Sequence, residues 1–423
     1  MPKPYTTLLG KTVRSIARLR GGGSALPGLF VEKIDPTFVA ESLAQLPRGV
    51  VVISGTNGKT TTTKMVTELL EGQGLKVFTN RTGSNFIRGV AAALLGEVDM
   101  KGKLDADIAV LELDEAHAVR FVRSITPRYS LLLNVMRDQL DRFGEIDATA
   151  KMLAVVAQRT TDGVVLNRED PHVASLAGKL GDKQVAFFGL NPALSHLFPS
   201  DDELRGGPKN AKAAPIADVT LEEFSGDEAT FKIDITKHTT TLKLQGVYNI
   251  FNAAAALALV RMIVGKATDT KKLIATLAEV TPAFGRGEKL TVGGQPLELV
   301  LVKNPSGFRL GLSSFPASDY ATMIAINDNY ADGRDMSWLW DVEFDSLRAD
   351  GVSQVSGIRA YDMALRLQYD EVEITRVEPD LKKALRSFIA AHPSAPKRVY
   401  CTYTAMLALR QELAKITTVE VVS

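Results

Sequence analysis

Cysteine is almost absent from the chain, and so is net charge. Only Cys401 carries a thiol among 423 residues, which excludes an internal disulfide framework and a four-thiolate zinc site. Fifty lysines and arginines stand against 49 acidic residues, so the formal net charge of +1 provides no overall field for a polyanion. We therefore expect a protein of a reducing compartment, by default the cytoplasm, and no dedicated nucleic-acid binder; any bound anion must be held by local groups.

Long apolar runs are also scarce. The best runs, such as residues 297–302, have the length of a strand and not the ~20 residues of a membrane span, so no span is predicted. Residues 1–31 contain no acidic residue and lack the pattern of a secretory signal, while Leu9, Val13 and Ile16 recur at helical spacing. Two interpretations stay open: a helix packed on the domain behind it, or a helix resting on anionic lipid at the inner face of the membrane.

Strand-like and helix-like segments alternate through the first half of the chain. The apolar pattern predicts helices at 60–70 and 148–158 and strands at 49–53, 76–78, 108–113, 129–135, 163–166 and 185–188. Such alternation is typical of a parallel sheet with helices on both faces.

The second half of the chain reads differently. Residues 194–216 are expected to form a loop, 231–235 and 241–244 two antiparallel strands, and 249–264 an Ala-rich helix. After a break at 281–285, strands are expected at 297–302, 321–326, 352–358, 372–377 and 398–402. We predict a basic N-terminal lead-in at 1–45, a central domain at 46–280 and a separate α/β domain at 283–423.

A glycine-rich turn between the first strand and the first helix is the most informative motif. Residues 55–60 read GTNGKT, a short form of the phosphate-binding loop, because Ile53 stands where the longer form has its first glycine. The predicted phosphate-binding set is Gly55, Thr56, Asn57, Gly58, Lys59, Thr60 and Thr61. The glycines let backbone N–H groups face a phosphate, Lys59 reaches the outer phosphates, and Thr60 offers its hydroxyl to Mg²⁺. A bound phosphate chain with Mg²⁺ is therefore expected; the family resemblance described below implies that the nucleotide is ATP.

Magnesium needs a second anchor from a neighbouring strand. Glu112 lies inside the apolar run 108–113, where an unpaired carboxylate would be costly, so a metal or a basic partner is expected there. The alternative for the neighbouring Asp114 and Glu115 is that they begin a solvated loop. We favour Glu112.

Several motifs together resemble the Mur ligase superfamily, which includes the folylpolyglutamate synthases, and within it the MurT branch. The resemblance runs from about residue 21 to the end. The motifs are GTNGKT at 55–60, TNRTGSN at 79–85, ELDEA at 112–116, NVMRDQLDRFG at 134–144, GVYNIFN at 246–252, FGRGE at 284–288, KNPSGF at 303–308 and NDNYADGRDMSWLWD at 327–341. The resemblance implies an α/β fold: a Mur-ligase-like central P-loop ATPase domain with a parallel sheet, and a C-terminal Rossmann-like α/β domain.

The resemblance also implies an activity. Members of the MurT branch use ATP to amidate the α-carboxylate of D-glutamate in the lipid II stem peptide through an acyl phosphate, with ammonia from a GatD-like glutaminase in a heterodimer. Many relatives carry a four-cysteine zinc ribbon; the matching stretch, about 194–219, has no cysteine, so zinc is not expected. The alternative is a stand-alone Mur or folylpolyglutamate-type ligase that adds an amino acid.

The residues independently indicate that ammonia comes from elsewhere. Cys401 lies in an apolar strand-like run without a glycine elbow, and none of the five histidines sits in a recognisable nucleophile motif, so we expect Cys401 to be structural. The resemblance suggests that an aspartate of the segment after strand 321–326 completes the partner's Cys-His pair. Asp335 is our first choice, ahead of Asp332 and Asp328; the alternative is that it merely caps a helix.

The resemblance places further residues near the nucleotide, at the meeting of the C-terminal domain with the phosphate loop. These are Asn252, Asn167, Asp170 and Arg286. A guanidinium can span two phosphate oxygens, which favours Arg286, although pairing with Glu288 is the alternative. Weaker expectations link three residues to the substrate's pyrophosphate or carboxylates: Arg81, Asn85 and Arg88.

Overall fold

Two β-sheets organise the chain. The computed structural model describes residues 4–19, 26–80, 87–136, 146–198, 215–244, 246–281 and 286–419. One unit comprises the described parts of Met1–Val135, Ile146–Leu244 and Asn249–Val280. The other comprises the described parts of Met136–Glu145, Gln245–Tyr248 and Thr281–Ser423.

The first unit is built on a nine-stranded sheet in the order β2-β3-β1-β4-β5-β6-β7-β8-β9. Its strands are β1 Val50–Ser54, β2 Val77–Thr79, β3 Ile108–Glu112, β4 Tyr129–Leu132, β5 Gly163–Asn167, β6 Gln184–Leu190, β7 Val219–Ser225, β8 Glu228–Ile233 and β9 Thr236–Thr241. All pairings from β2 to β7 are parallel, and β8 and β9 add an antiparallel edge. Every residue of β1, β3 and β5 is buried, so the predicted covering of both sheet faces is confirmed for these strands.

Helices accompany this sheet along the chain. They are α1 Pro4–Leu19, α2 Leu26–Ile34, α3 Phe38–Leu43, α4 Lys59–Gly72, α5 Ile87–Glu97, α6 Glu115–Ser124, α7 Ile146–Arg159, α8 Pro171–Ala174, α9 Val247–Val264 and α10 Thr270–Glu279. Helix α1 contacts α2 and α5, and the buried hydroxyl of Thr6 donates to Asp35 Oδ2 at 3.0 Å. The N-terminal helix is therefore packed on this unit, although Leu8 and Leu9 stay exposed.

Helix α9 corrects the expectation that no apolar stretch reaches the length of a membrane span. Among the described residues, Val247–Ala267 is long and apolar enough, but 72% of its most apolar window is buried inside the structure. Five alanines at 253–256 and 258 allow this close packing, and all five are buried, as is Leu257 between them. The segment thus has the burial expected of a core helix.

The antiparallel edge differs from the prediction. The strand predicted at 241–244 is wrong: β8 turns at Asp234 and Ile235 into β9, which ends at Thr241. Asp234 adopts a positive φ of 54° and Ile235 is 93% exposed, as in a two-residue hairpin turn. Leu242 and Leu244 are buried, so their alternation reflects burial without strand pairing.

The second unit has a six-stranded sheet in the order β10-β11-β15-β12-β13-β14. Its strands are β10 Arg286–Val292, β11 Gln295–Leu301, β12 Ala321–Ala325, β13 Gln354–Ser356, β14 Val377–Glu378 and β15 Lys397–Cys401. Its helices are α11 Pro305–Ser314, α12 Ala360–Tyr369, α13 Leu381–Ala391 and α14 Tyr403–Leu413. Only the β10–β11 pair is antiparallel. The predicted α/β class, with a second α/β unit, is confirmed.

Two predicted strands of this unit are too long. The strand expected at 372–377 pairs only as an isolated bridge from Ile374 to Val352 before β14 begins at Val377. The strand expected at 352–358 shortens to β13, and the edge strand β10 was not predicted. Edge segments carry few apolar residues, so their pattern is weak.

The burial of α9 predicts a large cost for removing one of its core side chains. Leu257 is fully buried, so Leu257→Ala should lower the free energy of unfolding by about 2 to 5 kcal/mol. Ile235→Ala, at an exposed turn, should change it by less than about 0.5 kcal/mol. Urea unfolding followed by circular dichroism measures both, and equal effects would contradict the assignment of α9 to the core.

Candidate active site

The glycine-rich loop lies between β1 and α4, as predicted. Gly55 has a φ of 134° and Gly58, which precedes the first residue of α4, has a φ of 90°. A Cβ on Gly58 would lie 2.8 Å from Nδ2 of Asn252, and one on Gly55 would lie 2.9 Å from the backbone nitrogen of Asn134. Both positions therefore require glycine for conformation and for space.

Asn134, just after β4, holds the backbone of this loop. Its carbonyl oxygen accepts a hydrogen bond from Thr56 N at 3.0 Å, and its Oδ1 accepts one from Asn57 N at 2.8 Å. Its Nδ2 donates to the carbonyl of Asn57 at 3.0 Å. These three hydrogen bonds to Asn134 hold the loop at the N-terminus of α4, the positive end of the helix dipole. The N–H groups of the first helical turn have no partner within the helix itself. This arrangement suits a bound phosphate.

The ammonium group of Lys59 is buried and surrounded by oxygen atoms. Its Nζ donates to the carbonyl of Gly55 at 2.6 Å and lies 3.2 Å from Asp114 Oδ1 and 3.8 Å from Glu115 Oε2. The solvated-loop alternative is wrong for Glu115, because that residue is buried. The two carboxylates compensate the buried cation, which a phosphate could do in their place.

Thr60 and Glu112 meet at the carboxyl end of β3. The hydroxyl of Thr60 donates to Glu112 Oε1 at 2.8 Å. Asn80 fixes the backbone of Glu112, since its Oδ1 accepts from Glu112 N at 3.0 Å and its Nδ2 donates to Glu112 O at 2.8 Å. A hydroxyl and a carboxylate beside the phosphate loop are the oxygen ligands that Mg²⁺ prefers, so these residues fit the ion.

Other predicted nucleotide-binding residues differ in their surroundings. Asn252 packs against Gly58, and the side chain of Thr61 is buried in the first turn of α4. Asn167 and Asp170 brace the segment after β4: Asn167 Nδ2 donates to Leu133 O at 2.7 Å, and Asp170 Oδ2 accepts from Val135 N at 2.6 Å. Burial raises the pKa of Asp170. Their contact with a nucleotide stays a prediction.

The remaining candidates lie apart from this cluster or outside the described residues. Arg88 forms an exposed ion pair with Glu32 at 2.7 Å. Arg286 begins β10, and its side chain is not among the described groups, while Glu288 pairs with Arg410. Arg81 and Asn85 also lie outside the described residues, as does most of the stretch predicted to replace a zinc ribbon.

The aspartates after β12, in the second unit, have different environments. Asp328 Oδ2 accepts from Arg359 Nε at 2.8 Å. Asp332 is buried and accepts from Thr404 N at 2.8 Å and Asn329 N at 3.1 Å, while burial raises its pKa.

Asp335 combines an ordinary cap with partial exposure. Its Oδ1 accepts from Ser337 N at 2.9 Å, and hydrogen bonds from the side chain and backbone of Ser337 lower its pKa. Asp335 is therefore an ionised carboxylate within reach of the surface.

Comparisons with known proteins place both halves of the chain in one family. The Mur ligase middle domain matches residues 53–260 and the MurT ligase C-terminal domain matches residues 301–406. A lipid II isoglutaminyl synthase (glutamine-hydrolyzing) subunit MurT of Staphylococcus aureus (strain N315) is 30% identical over 404 residues, covering 89% of this chain and 90% of that protein. The chain belongs to the MurT family. The MurT subunit of Streptococcus pneumoniae (strain ATCC BAA-255 / R6) is also 30% identical, covering 96% of each chain.

Solved structures confirm the Mur ligase fold of this MurT chain. MurF from Acinetobacter baumannii has a TM-score of 0.68 and 17% identity, covering 92% of this chain and 80% of that one. Escherichia coli FolC in complex with DHPP and ADP has a TM-score of 0.62 and 14% identity, covering 90% and 92%.

Sequence reasoning gave no individual role to Asn80 and Asn134, and it considered Asp114 only in the alternative to Glu112. Asn80 and Asp114 follow the neighbouring strands β2 and β3, and Asn134 follows β4, which pairs with β1; all three lie at the carboxyl ends of parallel strands. Ligand sites of open α/β sheets form at that edge. A polar residue at or near the end of each of these predicted strands was therefore the available signal.

Asn252 lies close to Gly58, so we predict that Gly58→Ala destabilises the chain more than the same substitution at a glycine with a similar φ and open space around it. Gly74 is the matched control, because its φ is 91° and nothing lies within 4 Å of its added Cβ. Both alanine variants should lose about 1 kcal/mol to left-handed strain. Thermal unfolding should show a further loss for Gly58→Ala, and equal midpoints would contradict crowding at Asn252.

Proposed function

We propose that this MurT chain is the synthetase subunit of a glutamine-dependent amidotransferase. It uses ATP to convert the α-carboxylate of D-glutamate in the lipid II stem peptide into an amide, giving D-isoglutamine. The carrying observation is the convergence of Lys59, Thr60 and Glu112 at the phosphate loop of a chain in this family. Relatives named as glutamine-hydrolyzing lipid II isoglutaminyl synthase subunits support the substrate and the nitrogen donor.

The phosphate loop binds the triphosphate of ATP. Lys59 moves its charge from Asp114 and Glu115 to the outer phosphate oxygens, which places a cation where negative charge is greatest. Asn134 keeps the loop from rearranging, so little reorganisation is needed when the nucleotide binds. The ADP named in solved structures of a MurF ligase and of FolC is consistent with this role of the fold.

Thr60 and Glu112 would hold Mg²⁺. When bound, the ion neutralises charge on the phosphate oxygens during phosphoryl transfer. Asn80 keeps the backbone of Glu112 fixed, so that its carboxylate stays at the end of β3.

The reaction then proceeds in two steps. A carboxylate oxygen of the substrate attacks the γ-phosphorus of ATP, and the bond between that phosphorus and the oxygen bridging it to the β-phosphate breaks. ADP departs, and the substrate carboxylate has become an acyl phosphate. Ammonia attacks the acyl carbon, phosphate departs, and the surplus proton goes to solvent. Phosphorylation turns a poor leaving group into a good one, which is why ATP is consumed.

A second subunit supplies the ammonia. The Cys401 thiol is fully buried, and burial raises its pKa, so it is poorly suited to attack glutamine. A GatD-like glutaminase in a heterodimer would contribute the nucleophile and its histidine. Asp335, an ionised carboxylate near the surface, would orient that histidine and favour its protonated form. Because lipid II is membrane-bound, the complex would act in the cytoplasm at the inner face of the membrane.

Reconstitution tests this function against a stand-alone ligase. The chain and its cognate glutaminase are incubated with lipid II, ATP, Mg²⁺ and glutamine, and the product is analysed by mass. Amidation that requires both subunits, or free ammonia with this chain alone, supports the proposal. Addition of a whole amino acid by the single chain would favour the alternative.

Lys59→Ala should abolish amidation with either glutamine or free ammonia, because the outer phosphates lose their cation. We expect a fall of at least roughly 100-fold in phosphate release. Lys64→Ala is the matched control on the same helix, since Lys64 faces Glu68 at 3.7 Å. Binding of the glutaminase should be unchanged in both variants, and a Lys59 variant with normal turnover would contradict the role.

Asp335→Asn should impair glutamine-dependent amidation by about 100-fold or more while free ammonia restores the rate. The amide can still accept the bond from Ser337 N, so the local cap is kept and only the charge is lost. Asp380→Asn is the control, because Asp380 caps α13 in a similar way by accepting from Lys383 N at 2.9 Å. A variant that stays inactive with ammonia would show that Asp335 does not serve the glutaminase.

A further inference from the structure

The N-terminal helix α1 exposes its large apolar side chains. Leu8 and Leu9 are 52% and 46% exposed, and Thr12, which follows both at helical spacing, is exposed as well. Ile16 occurs seven residues after Leu9 in the same helix. We name Leu8, Leu9 and Thr12 the outer face of α1.

The side of α1 that packs on the protein carries small and polar residues. Thr6, Thr7 and Gly10 are buried. A Cβ on Gly10 would lie 2.6 Å from Leu95 Cδ2 on α5 and 2.9 Å from Val31 Cγ2 on α2. The helix therefore lies too close to α2 and α5 to place a large side chain on this side, and its leucines lie on the opposite one.

This arrangement reverses the usual one for a surface helix. Helix α10 of the same unit buries Leu273 and Leu277 and exposes Lys271 and Lys272. An amphipathic helix normally turns its apolar side toward the core and its polar side toward water. A helix that packs through threonine and glycine while it presents leucines outward has the polarity expected of a helix that rests on an apolar phase.

The sequence around α1 carries charge of one sign only. Five basic residues and no acidic residue occur within residues 1–31: Lys3, Lys11, Arg14, Arg18 and Arg20. Since the whole chain has 50 basic and 49 acidic residues, the remainder carries a net negative charge, and the positive charge is local to this segment. Basic residues beside an exposed apolar helix face complement the headgroups and the apolar layer of an anionic phospholipid bilayer.

Helix α1 is fixed to the unit that contains the phosphate loop. Thr6 Oγ1 donates to Asp35 Oδ2 at 3.0 Å, and Asp35 Oδ1 accepts from Thr37 Oγ1 at 2.7 Å. Farther along the helix, a Cβ on Gly96 of α5 would overlap the guanidinium of Arg14. A surface that binds α1 therefore also holds the first unit, and with it the phosphate loop, in a defined orientation.

We propose that the outer face of α1 rests on the anionic phospholipid bilayer that holds the substrate. The inference rests on the proposed function, in which the substrate is lipid II. The two interpretations of the N-terminal segment are then compatible, because the helix packs on the protein through one side and contacts lipid through the other. Binding keeps the first unit at the membrane surface, which raises the effective concentration of lipid II at the phosphate loop.

Vesicle binding tests this surface. The full chain, alone and with its cognate glutaminase, is sedimented with vesicles of phosphatidylcholine and phosphatidylglycerol in equal parts, and with vesicles of phosphatidylcholine alone. We expect binding to the anionic vesicles only, and weaker binding as the salt concentration is raised. The double variant Leu8→Gln, Leu9→Gln should bind about 10-fold more weakly or worse, because two apolar side chains no longer enter the lipid layer.

The double variant Ile216→Gln, Ile235→Gln is the matched control. These isoleucines are 91% and 93% exposed; Ile216 precedes β7 and Ile235 joins β8 to β9. They lie toward the sheet edge opposite β2, whereas α1 contacts α5, which packs beside β2. The control should change vesicle affinity by less than about twofold. Circular dichroism should show an unchanged fold in both double variants, because all four side chains are exposed.

Activity separates this inference from the proposed function. With free ammonia, Leu8→Gln, Leu9→Gln should amidate lipid II slowly in anionic vesicles and at the wild-type rate in detergent micelles. Absence of vesicle binding by the wild type, or equal binding by this variant, would overturn the lipid surface while leaving the amidation chemistry intact. Loss of glutaminase binding, or of a homodimer of the chain, in this variant would also overturn it, in favour of a protein occupant. Failure of the wild-type chain to amidate lipid II in micelles would instead overturn the proposed function.

Discussion

The buried ammonium of Lys59 is the charge around which the first unit is arranged. A cation inside a sheet edge is costly unless oxygen atoms surround it, and here they come from the loop carbonyl of Gly55 and from Asp114 and Glu115. Those groups follow β1 and β3, which are neighbours in the sheet. Because β1 and β3 pair in parallel, the groups that follow them lie at the same edge of the sheet. There they stabilise the Lys59 ammonium, and there a phosphate could take the place of the two carboxylates.

The two units carry different polar features. The first unit concentrates its polar groups at the carboxyl edge of a covered sheet, where Thr60 and Glu112 meet. The second unit buries the Cys401 thiol and leaves the carboxylate of Asp335 partly exposed. In the proposed function, the first unit activates the carboxylate of the substrate, and Asp335 of the second unit serves the partner that releases the nitrogen.

The sequence predicts the central strands better than the edges or the details of the site. Strands β1 and β3 are buried on both faces, so their apolar runs are unambiguous, and the GTNGKT turn carries its own mechanism. The hairpin at Asp234 was misplaced because Leu242 and Leu244 are buried outside the sheet. The bracing by Asn134 depends on which strand lies beside β1, which is a property of topology and not of local pattern. The exposure of Tyr361 and Leu365 on α12 was not predicted, because exposed and buried apolar residues look alike in a sequence.

Burial and hydrogen bonding distinguish Asp328, Asp332 and Asp335, which the sequence alone separates only weakly. Asp332 accepts hydrogen bonds from Thr404 and Asn329 and is buried, so its oxygens serve the loop itself. Asp328 is paired with Arg359, and removing it would cost the anchor at the start of α12. Asp335 accepts hydrogen bonds from the side chain and the backbone of Ser337, which lower its pKa, and it is only partly buried. Of the three, Asp335 therefore combines a stabilised carboxylate with partial exposure, and for this reason it is the aspartate proposed above to meet a histidine of the partner.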